Sequence, residues 1–437
     1  MKESGSQFAS KLGFVMASVG SAIGMGNIWM FPYRVGKYGG AAFLVPYFLF
    51  IALFGAVGLS GEFALGRLTG TGPIGAYDYA MRSRGKGGGK LLGAIPLLGS
   101  LGISIGYAVI VGWVLRSLAG SVTGSLFQKP AEEFFAEMTV PFGSIPWHLL
   151  AVCAAALFLI CGIVKGIERV SKIMMPAFFI LFLAIAIRVA FLPGAMAGYA
   201  YLLIPKWEAL LDPVTWIMAM GQAFFSLSIT GSGMIVYGCY LPKDQDIPHA
   251  SALTALLDTL AALVAAFAVI PAVFAFGMDP QAGPPLIFIT LPKIFAQMPM
   301  GNLFAILFFL SVFFAGITSL INMFEAVGEA AQRVLKLRRT WSILCVAAAA
   351  FGVGLFIEYE PYLGKWMDAI TIYITPIGAV LGAVMIYWVL GVDRIGTELQ
   401  TGRDKPLFPG FGFTAKYIYV FLAGSVVLFS IVLGGIG

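Results

Sequence analysis

The sequence predicts an all-α integral membrane protein with eleven transmembrane helices, arranged as a 5+5 inverted repeat in which helices 1 and 6 are unwound. Three observations carry this prediction: a very apolar composition, a series of long apolar runs, and glycine-rich interruptions in two corresponding runs. Of the 437 residues, 59% are hydrophobic and 11% are charged, and the mean hydropathy is +0.92. A soluble domain has about 25% charged residues, and no water-soluble fold hides so much apolar surface.

Apolar runs separated by polar or Pro/Gly-rich segments define the individual helices. Runs such as residues 41–59 are long and uninterrupted, which favours helices over the alternating strands of a barrel. Residues 1–437 are expected to form a single transmembrane domain, with repeats at approximately 8–192 and 213–390 and an extra helix at 413–436. The eleven expected spans are residues 8–36, 41–67, 90–124, 147–164, 171–192, 213–240, 248–276, 302–336, 341–357, 364–390 and 413–436.

The basic residues predict the orientation of these helices. With the N-terminus inside, most of the 27 Lys and Arg residues fall in inside loops, as Arg82, Arg84 and Lys86 do. The N-terminus is therefore expected in the cytoplasm, and an odd number of spans places the C-terminus outside. The net charge of +6 is spread over short loops and forms no stripe, so we expect the lipid bilayer and no nucleic acid as a partner.

Two interrupted helices lie five spans apart. Residues 21–27 (SAIGMGN) interrupt span 1, and residues 226–233 (SLSITGSG) interrupt span 6. Because five is odd, spans 1–5 and 6–10 would have opposite orientations, and broken helices at matching places in inverted halves indicate a transporter binding site. The alternative is that these glycines only allow close helix packing.

Such breaks leave backbone groups in the membrane without hydrogen-bond partners, at a cost of several kcal/mol each. Free carbonyls bind a hard cation or an ammonium group, and free N–H groups at a helix N-terminus bind a carboxylate. Sodium ions and a zwitterionic amino acid would together satisfy both kinds of group. Polar residues also lie deep in the apolar runs, at Asn27, Gln222, Ser226, Ser228, Asp258, Thr318, Ser319 and Asn322.

Asp258 is the most informative of these residues. A carboxylate in the middle of the bilayer costs at least about 2.5–3.5 kcal/mol. We interpret Asp258 as ionised beside a bound cation, and the alternative is a protonated, hydrogen-bonded side chain.

Several motifs closely resemble the neurotransmitter:sodium symporter family, in its bacterial branch for hydrophobic amino acids. They are residues 20–29 (GSAIGMGNIW), 31–33 (FPY), 38–43 (YGGAAF), 62–67 (EFALGR), 221–228 (GQAFFSLS), 243–246 (KDQD) and 315–319 (AGITS). The resemblance covers nearly the whole chain. It implies a leucine-transporter-type fold, sodium-driven uptake by alternating access, two sodium ions, and a monomer or weak oligomer in the bacterial inner membrane.

The resemblance also implies site residues. The first sodium site would use Ala22, Asn27, Ser226 and Asp258, and the second would use Gly20, Ile23, Ala315, Thr318 and Ser319. Both are oxygen shells, as a hard cation requires. Residues implied to contact the substrate are Ala22, Gly24, Gly26, Ile103, Tyr107, Phe225, Ser226, Ser228, Gly231, Ser319 and Met323.

Three points within this resemblance concern the type of substrate and the anion dependence. Gly24 stands where amine-selective relatives carry an Asp, so the substrate should bring its own carboxylate. Gly231 and Gly233 are expected to leave a wide apolar pocket that accepts Leu, Met, Phe, Tyr or Trp, with modest discrimination among them. Asp258 supplies a fixed negative charge, so we expect transport that is independent of chloride.

The gates depart from the family pattern. Met30 replaces an Arg that would pair with Asp368, and Gly5 and Arg333 stand at the positions of an Arg–Asp inner latch. We expect Tyr107 and Phe225 to form an aromatic lid instead.

At the inner side, Phe8 replaces a Trp and is expected to pack near Tyr240. Gly166 and Pro176 form a Gly-x9-Pro spacing implied to unwind span 5, with a static kink as the alternative.

Other functions remain open at this stage. The altered gate charges leave a non-transporting, sodium-dependent amino acid receptor as the second hypothesis, and a proton-coupled carrier that uses Asp258 as another. An enzyme is disfavoured, because no acid/base pair, nucleophile–base set or cofactor motif occurs in the spans.

Overall fold

A computed structural model describes residues 7–278 and 286–436, and these residues form helices joined by short loops. The helices are α1 (Lys11–Ala22), α2 (Gly26–Lys37), α3 (Ala41–Thr69), α4 (Pro73–Arg82), α5 (Gly89–Thr123), α6 (Ala131–Thr139), α7 (Ile145–Ile160), α8 (Ile163–Ala190), α9 (Ala195–Leu203), α10 (Pro213–Ser226), α11 (Gly233–Cys239), α12 (Ile247–Ala275), α13 (Leu286–Gln297), α14 (Gly301–Leu335), α15 (Arg339–Ile357), α16 (Glu360–Gln400) and α17 (Phe411–Leu433).

Eight of these helices are long and apolar enough to cross a membrane: α3, α5, α8, α12, α14, α15, α16 and α17. The bent pair α1 and α2 raises this number to nine among the described residues. Expected span 4 corresponds to α7, which has 16 residues, and expected span 6 to the pair α10 and α11. The all-α membrane class is thus confirmed, and the count of eleven stays a prediction.

The first helix break lies where the glycine cluster predicted it. Ile23 has extended backbone angles (φ −66°, ψ 117°) and ends α1, and α2 begins at Gly26 with its axis turned by 62°. The break leaves the last carbonyls of α1 and the first N–H groups of α2 without partners in their own helix.

The second break separates α10 from α11 over residues 227–232. Gly231 has φ +73°, which glycine adopts freely, but Ser228 has φ +52°, which is rare for a residue with a side chain. The Ser228 hydroxyl donates to the Ser21 carbonyl at 3.0 Å, so a contact between the two breaks holds this conformation.

Several expected boundaries differ from the structure. Expected span 5 starts at residue 171, yet α8 already begins at Ile163, because Gly162 (φ +87°) is where the chain turns and the polar residues after it stay helical. Expected span 10 ends at residue 390, whereas α16 continues to Gln400. The segments between the expected spans contain the short helices α4, α6, α9 and α13, and helix formation pairs most of their backbone polar groups.

The broken helix lies at the centre of the bundle. Helix α1 packs against α8, α12 and α14, while α2 packs against α12. Aspartate side chains cap the starts of α10 and α12. Asp212 accepts the Val214 N–H and Asp246 accepts the His249 N–H, both at 2.9 Å. This arrangement brings both breaks beside α5, α12 and α14.

Candidate functional site

One cavity of about 380 Å³ lies against both helix breaks. Its lining includes all but one of the residues expected to contact substrate, namely Ala22, Gly24, Gly26, Ile103, Tyr107, Phe225, Ser226, Ser228, Ser319 and Met323. Residues more than 200 positions apart in the chain therefore line the same cavity, and its volume is typical of a small-molecule binding site.

Gly231 is the exception, and its expected place on the pocket wall is wrong. Its N–H donates to Glu62 at 2.8 Å and its carbonyl accepts from the Tyr77 hydroxyl at 3.1 Å, so it lies behind the wall. A Cβ at this position would lie 2.4 Å from the Gly378 carbonyl oxygen. The space beside Gly233 is likewise filled, by the amide of Asn322.

The side chains expected at the first sodium site form one buried cluster. The Asn27 amide donates to Asp258 Oδ1 at 2.8 Å, and the Ser226 hydroxyl donates to Asp258 Oδ2 at 2.6 Å. The Asn27 side-chain oxygen accepts the Gly24 N–H at 3.0 Å, which ties the cluster to the first break. Asp258 has no exposed surface, and the ion pairs of the described chain do not include it. A buried carboxylate with only neutral donors fits a cation beside it.

The residues expected at the second sodium site lie where α1 contacts α14. The Ser319 hydroxyl lies 3.3 Å from the Gly20 carbonyl oxygen and 3.0 Å from that of Ile23. Within α14, the Thr318 hydroxyl lies 2.8 Å from the Phe314 carbonyl oxygen and 3.2 Å from that of Ala315. Carbonyl and hydroxyl oxygens from α1 and α14 thus face one another, which is a donor set suited to a hard cation.

Tyr107 holds the first break from the side of α5. Its hydroxyl accepts the Met25 N–H at 2.9 Å. A Cβ at Gly24 would lie only 2.7 Å from the same oxygen, and one at Gly26 would lie 3.1 Å from the Phe225 ring. A side chain at Gly24 would therefore displace the Tyr107 hydroxyl, and one at Gly26 would press against the Phe225 ring.

Beyond Tyr107 and Phe225 the cavity continues to one end of the bundle, where Met30, Asp368 and Glu360 line it. Asp368 and Glu360 are exposed, and Met30 offers them no positive charge.

Two short helices form the rim of this open end. Phe135 of α6 stacks on Phe288 of α13 with ring centroids 5.5 Å apart. Lys293 pairs with Glu132 across the same two helices and lowers the pKa of that carboxyl.

The opposite end is sealed by the segment that precedes α1. The Phe8 N–H donates to the Tyr240 carbonyl at 3.1 Å, so these two residues lie together as expected. The Tyr240 hydroxyl donates to Glu325 at 2.5 Å, and Arg339 binds the same carboxylate through two nitrogens at 2.9 and 2.7 Å.

A second carboxylate at the sealed end is Glu168 of α8. It accepts the Ala9 N–H at 2.7 Å, the Ser10 hydroxyl at 2.7 Å and the Lys172 ammonium at 2.6 Å. Arg333 takes no part in this seal, since it pairs with Glu329 on its own helix, and Gly5 lies outside the described residues. The seal is thus built from carboxylates that the sequence reasoning passed over. Glu325 lies within expected span 9 and carried the same signal as Asp258, whereas Glu168 lies between expected spans 4 and 5.

Gly166 and Pro176 both lie within α8. A Cβ at Gly166 would come close to the Phe158 carbonyl oxygen of α7, so this glycine allows the two helices to touch. Pro176 lies inside the helix and removes one backbone hydrogen bond there.

The sequence reasoning also missed polar residues of the cavity wall, above all Ser100 and Thr230. One face of α5 presents Ser100, Ile103, Tyr107 and Ile110 at helical spacing. Continuing this spacing back from the two expected residues, Ile103 and Tyr107, would have identified Ser100. The rim residues Phe135 and Phe288 come from connecting segments and carry no such signal.

Comparisons of the sequence with known proteins point to one family. The family model described as the sodium:neurotransmitter symporter family matches residues 5–140 and 127–436. The chain is 40% identical to an uncharacterized sodium-dependent transporter of Bacillus subtilis, YhdH, over 97% of this chain and 96% of that protein. It is 33% identical to an uncharacterized sodium-dependent transporter of Haemophilus influenzae, over 79% of this chain and 78% of that protein.

Among solved structures, the fold is similar to the crystal structure of MhsT in complex with L-phenylalanine. The TM-score is 0.86 and the sequences are 32% identical, with 97% of this chain and 99% of that chain covered. The all-helical transporter fold expected from the sequence is confirmed by this match. The relatives named here are transporters and not enzymes.

Proposed function

Because the chain belongs to the sodium:neurotransmitter symporter family, we propose that it is a sodium-coupled symporter that imports hydrophobic or aromatic L-amino acids by alternating access, independently of chloride. One observation carries the proposal: a single cavity touches both helix breaks beside a buried carboxylate that has only neutral hydrogen-bond donors.

Two sodium ions are part of the proposal. The first is assigned to Ala22, Asn27, Ser226 and Asp258, and the second to Gly20, Ile23, Ala315, Thr318 and Ser319. The close contacts among these oxygens support the assignment. A bound cation would supply the positive charge that balances Asp258, which is also the reason to expect no need for chloride.

The substrate assignment follows from the chemistry of the breaks. The carbonyls that end α1 suit an ammonium group, and the N–H groups that begin α2 suit a carboxylate. Gly24 offers no side-chain acid, so the substrate brings its own. Apolar residues Ile103, Phe225 and Met323 suit a hydrophobic side chain, and L-phenylalanine in the similar structure of MhsT supports this class.

The finer architecture is proposed with the function. It comprises a single domain of eleven spans, with inverted repeats at approximately 8–192 and 213–390 and an extra helix at 413–436, in a bacterial inner membrane as a monomer or weak oligomer. The N-terminus would be cytoplasmic and the C-terminus outside. In that orientation the seal at Phe8 and Tyr240 faces the cytoplasm and the cavity opens outward.

Uptake of radiolabelled L-phenylalanine into proteoliposomes tests the proposal. We expect accumulation driven by an inward sodium gradient, no accumulation when choline replaces sodium at fixed pH, and unchanged uptake when gluconate replaces chloride. Sodium-dependent binding without accumulation would replace the symporter with the receptor. Accumulation in choline would indicate proton coupling, and a collapse in gluconate would refute chloride independence.

A further inference from the structure

The deep end of the cavity is polar. Along α5, the cavity is lined in order by Ser100, Ile103, Tyr107, Ile110 and Trp113, and Trp113 lies at the rim, 6.1 Å from the Phe288 ring. A helix rises about 20 Å from residue 100 to residue 113, so Ser100 lies at the end far from the opening. Thr230 of the second break and Asn322 of α14 also line the cavity.

Ser100 and Thr230 are joined through a third hydroxyl behind the wall. Ser232 is fully buried, and its oxygen lies 2.6 Å from the Ser100 oxygen and 2.7 Å from the Thr230 oxygen. Ser100, Thr230 and Ser232 are called the hydroxyl ledge below. Only 4% of Ser100 is exposed.

The ledge has unused hydrogen-bonding capacity. A hydroxyl donates one hydrogen bond and accepts two. Ser232 has a single proton, so it donates to at most one of its two neighbours, and both keep a free acceptor position. These acceptors belong to side chains that line the cavity, where water is displaced when a substrate fills it.

The hydroxyl ledge lies about one aromatic side-chain length from the first helix break. Tyr107, which contacts the first break, is separated from Ser100 by two turns of α5, or about 10 Å. Ile103 lies between them, with Phe225 and Met323 on the neighbouring helices. A flat ring placed among these apolar side chains points its far edge at the ledge, whereas a leucine side chain ends well before it.

We propose that the hydroxyl ledge makes this site selective for aromatic amino acids that carry a hydrogen-bond donor at the far edge of the ring, tyrosine and tryptophan, over phenylalanine and leucine. The inference rests on the proposed function, because it takes the cavity to be the amino acid site. A phenol hydroxyl or an indole N–H donates to the free acceptors, and a phenylalanine ring leaves them buried without partners. One neutral hydrogen bond corresponds to about a tenfold difference in affinity.

Competition against radiolabelled L-phenylalanine in sodium buffer, with choline as the blank, tests this selectivity. For the unmodified protein we expect tyrosine and tryptophan to compete about tenfold better than phenylalanine. Tyrosine should also compete better than 4-methyl-L-phenylalanine, which has the same length and no donor. Equal competition by tyrosine and its methyl analogue would overturn the proposal without any variant.

Variants of the ledge residues test whether the ledge causes the preference for tyrosine. Ser100→Ala combined with Thr230→Val should abolish the advantage of tyrosine over phenylalanine, and Ser100→Ala alone should reduce that advantage. Ser104→Ala is the matched control, because this buried hydroxyl lies one turn further along α5 and, within the described part of the chain, donates only to the Leu101 carbonyl. A tyrosine advantage that survives the double variant would overturn the proposal. Absence of sodium-dependent binding of every amino acid in the unmodified protein would instead refute the proposed function.

Discussion

Replacing Asp258 by Asn removes the charge of the first sodium site while it keeps the size of the side chain. Asp258 is fully buried and accepts one hydrogen bond from Asn27 and one from Ser226, at 2.8 and 2.6 Å. The Ser226 hydroxyl can reverse its direction to suit an amide. The fold should therefore persist, because the lost charge-assisted hydrogen bonds, about 1.5–3 kcal/mol each, are offset by the smaller cost of burying a neutral group.

The Asp258→Asn substitution should weaken sodium binding. Two unit charges about 4 Å apart interact by roughly 4 kcal/mol at an effective dielectric constant near 20. Since about 1.4 kcal/mol corresponds to a factor of ten, Asp258→Asn should weaken sodium binding by about a thousandfold. Sodium titrations of L-phenylalanine binding measure this change, and sodium-dependent thermal stabilisation of the purified protein provides a second reading.

A matched control is Glu358→Gln. Glu358 is also a fully buried carboxylate, but it pairs with His148 at 3.1 Å away from the cavity. Its substitution should lower stability and leave the sodium titration unchanged. A half-saturating sodium concentration for Asp258→Asn within about threefold of the unmodified value would refute the reasoning.

Three further substitutions test the break, the seal and the kink. Gly24→Ala places a Cβ 2.7 Å from the Tyr107 hydroxyl oxygen, so we expect L-phenylalanine binding to weaken at least tenfold in equilibrium dialysis, with little change in melting temperature. Unchanged affinity would contradict the close approach. Glu168→Gln weakens the two hydrogen bonds that hold the segment before α1, so limited trypsin cleavage at Lys11 should become several-fold faster, and an unchanged rate would show that the segment is held elsewhere. Pro176→Ala restores a backbone hydrogen bond in α8 and should slow transport in proteoliposomes without weakening sodium-dependent binding, whereas unaltered transport would favour a static kink.

The fold class and the position of both breaks were predictable because each is a local property of the chain. An apolar run must form a helix in a bilayer, and glycine clusters mark where such a helix is interrupted. The breaks at residues 23–25 and 227–232 lie inside the segments that the sequence indicated. Helix ends were less predictable, as α8 shows, because a turn at Gly162 and not polarity decides where that helix starts.

The polar cluster around Asp258 was predictable from the sequence, whereas the place of Gly231 was not. Asn27, Ser226 and Asp258 were chosen as polar residues in apolar runs, and they meet in one cluster. Gly231 was assigned to the pocket wall, yet its carbonyl and N–H face Tyr77 and Glu62. The direction in which a non-helical residue faces depends on its dihedral angles and neighbours, which the residue type alone does not define.

By itself, then, the sequence determined that this chain lies in a membrane and where two of its helices break. It also showed which oxygen-bearing residues are unusual in the apolar runs, because a polar group without a partner costs free energy in the hydrocarbon of the bilayer. Only the tertiary structure decided that Glu168 and Glu325 seal one end and that Ser100 and Thr230 share a buried partner in Ser232. Those pairings join helices distant in the chain, and contacts of that kind depend on how the helices pack, which no local pattern of residues encodes.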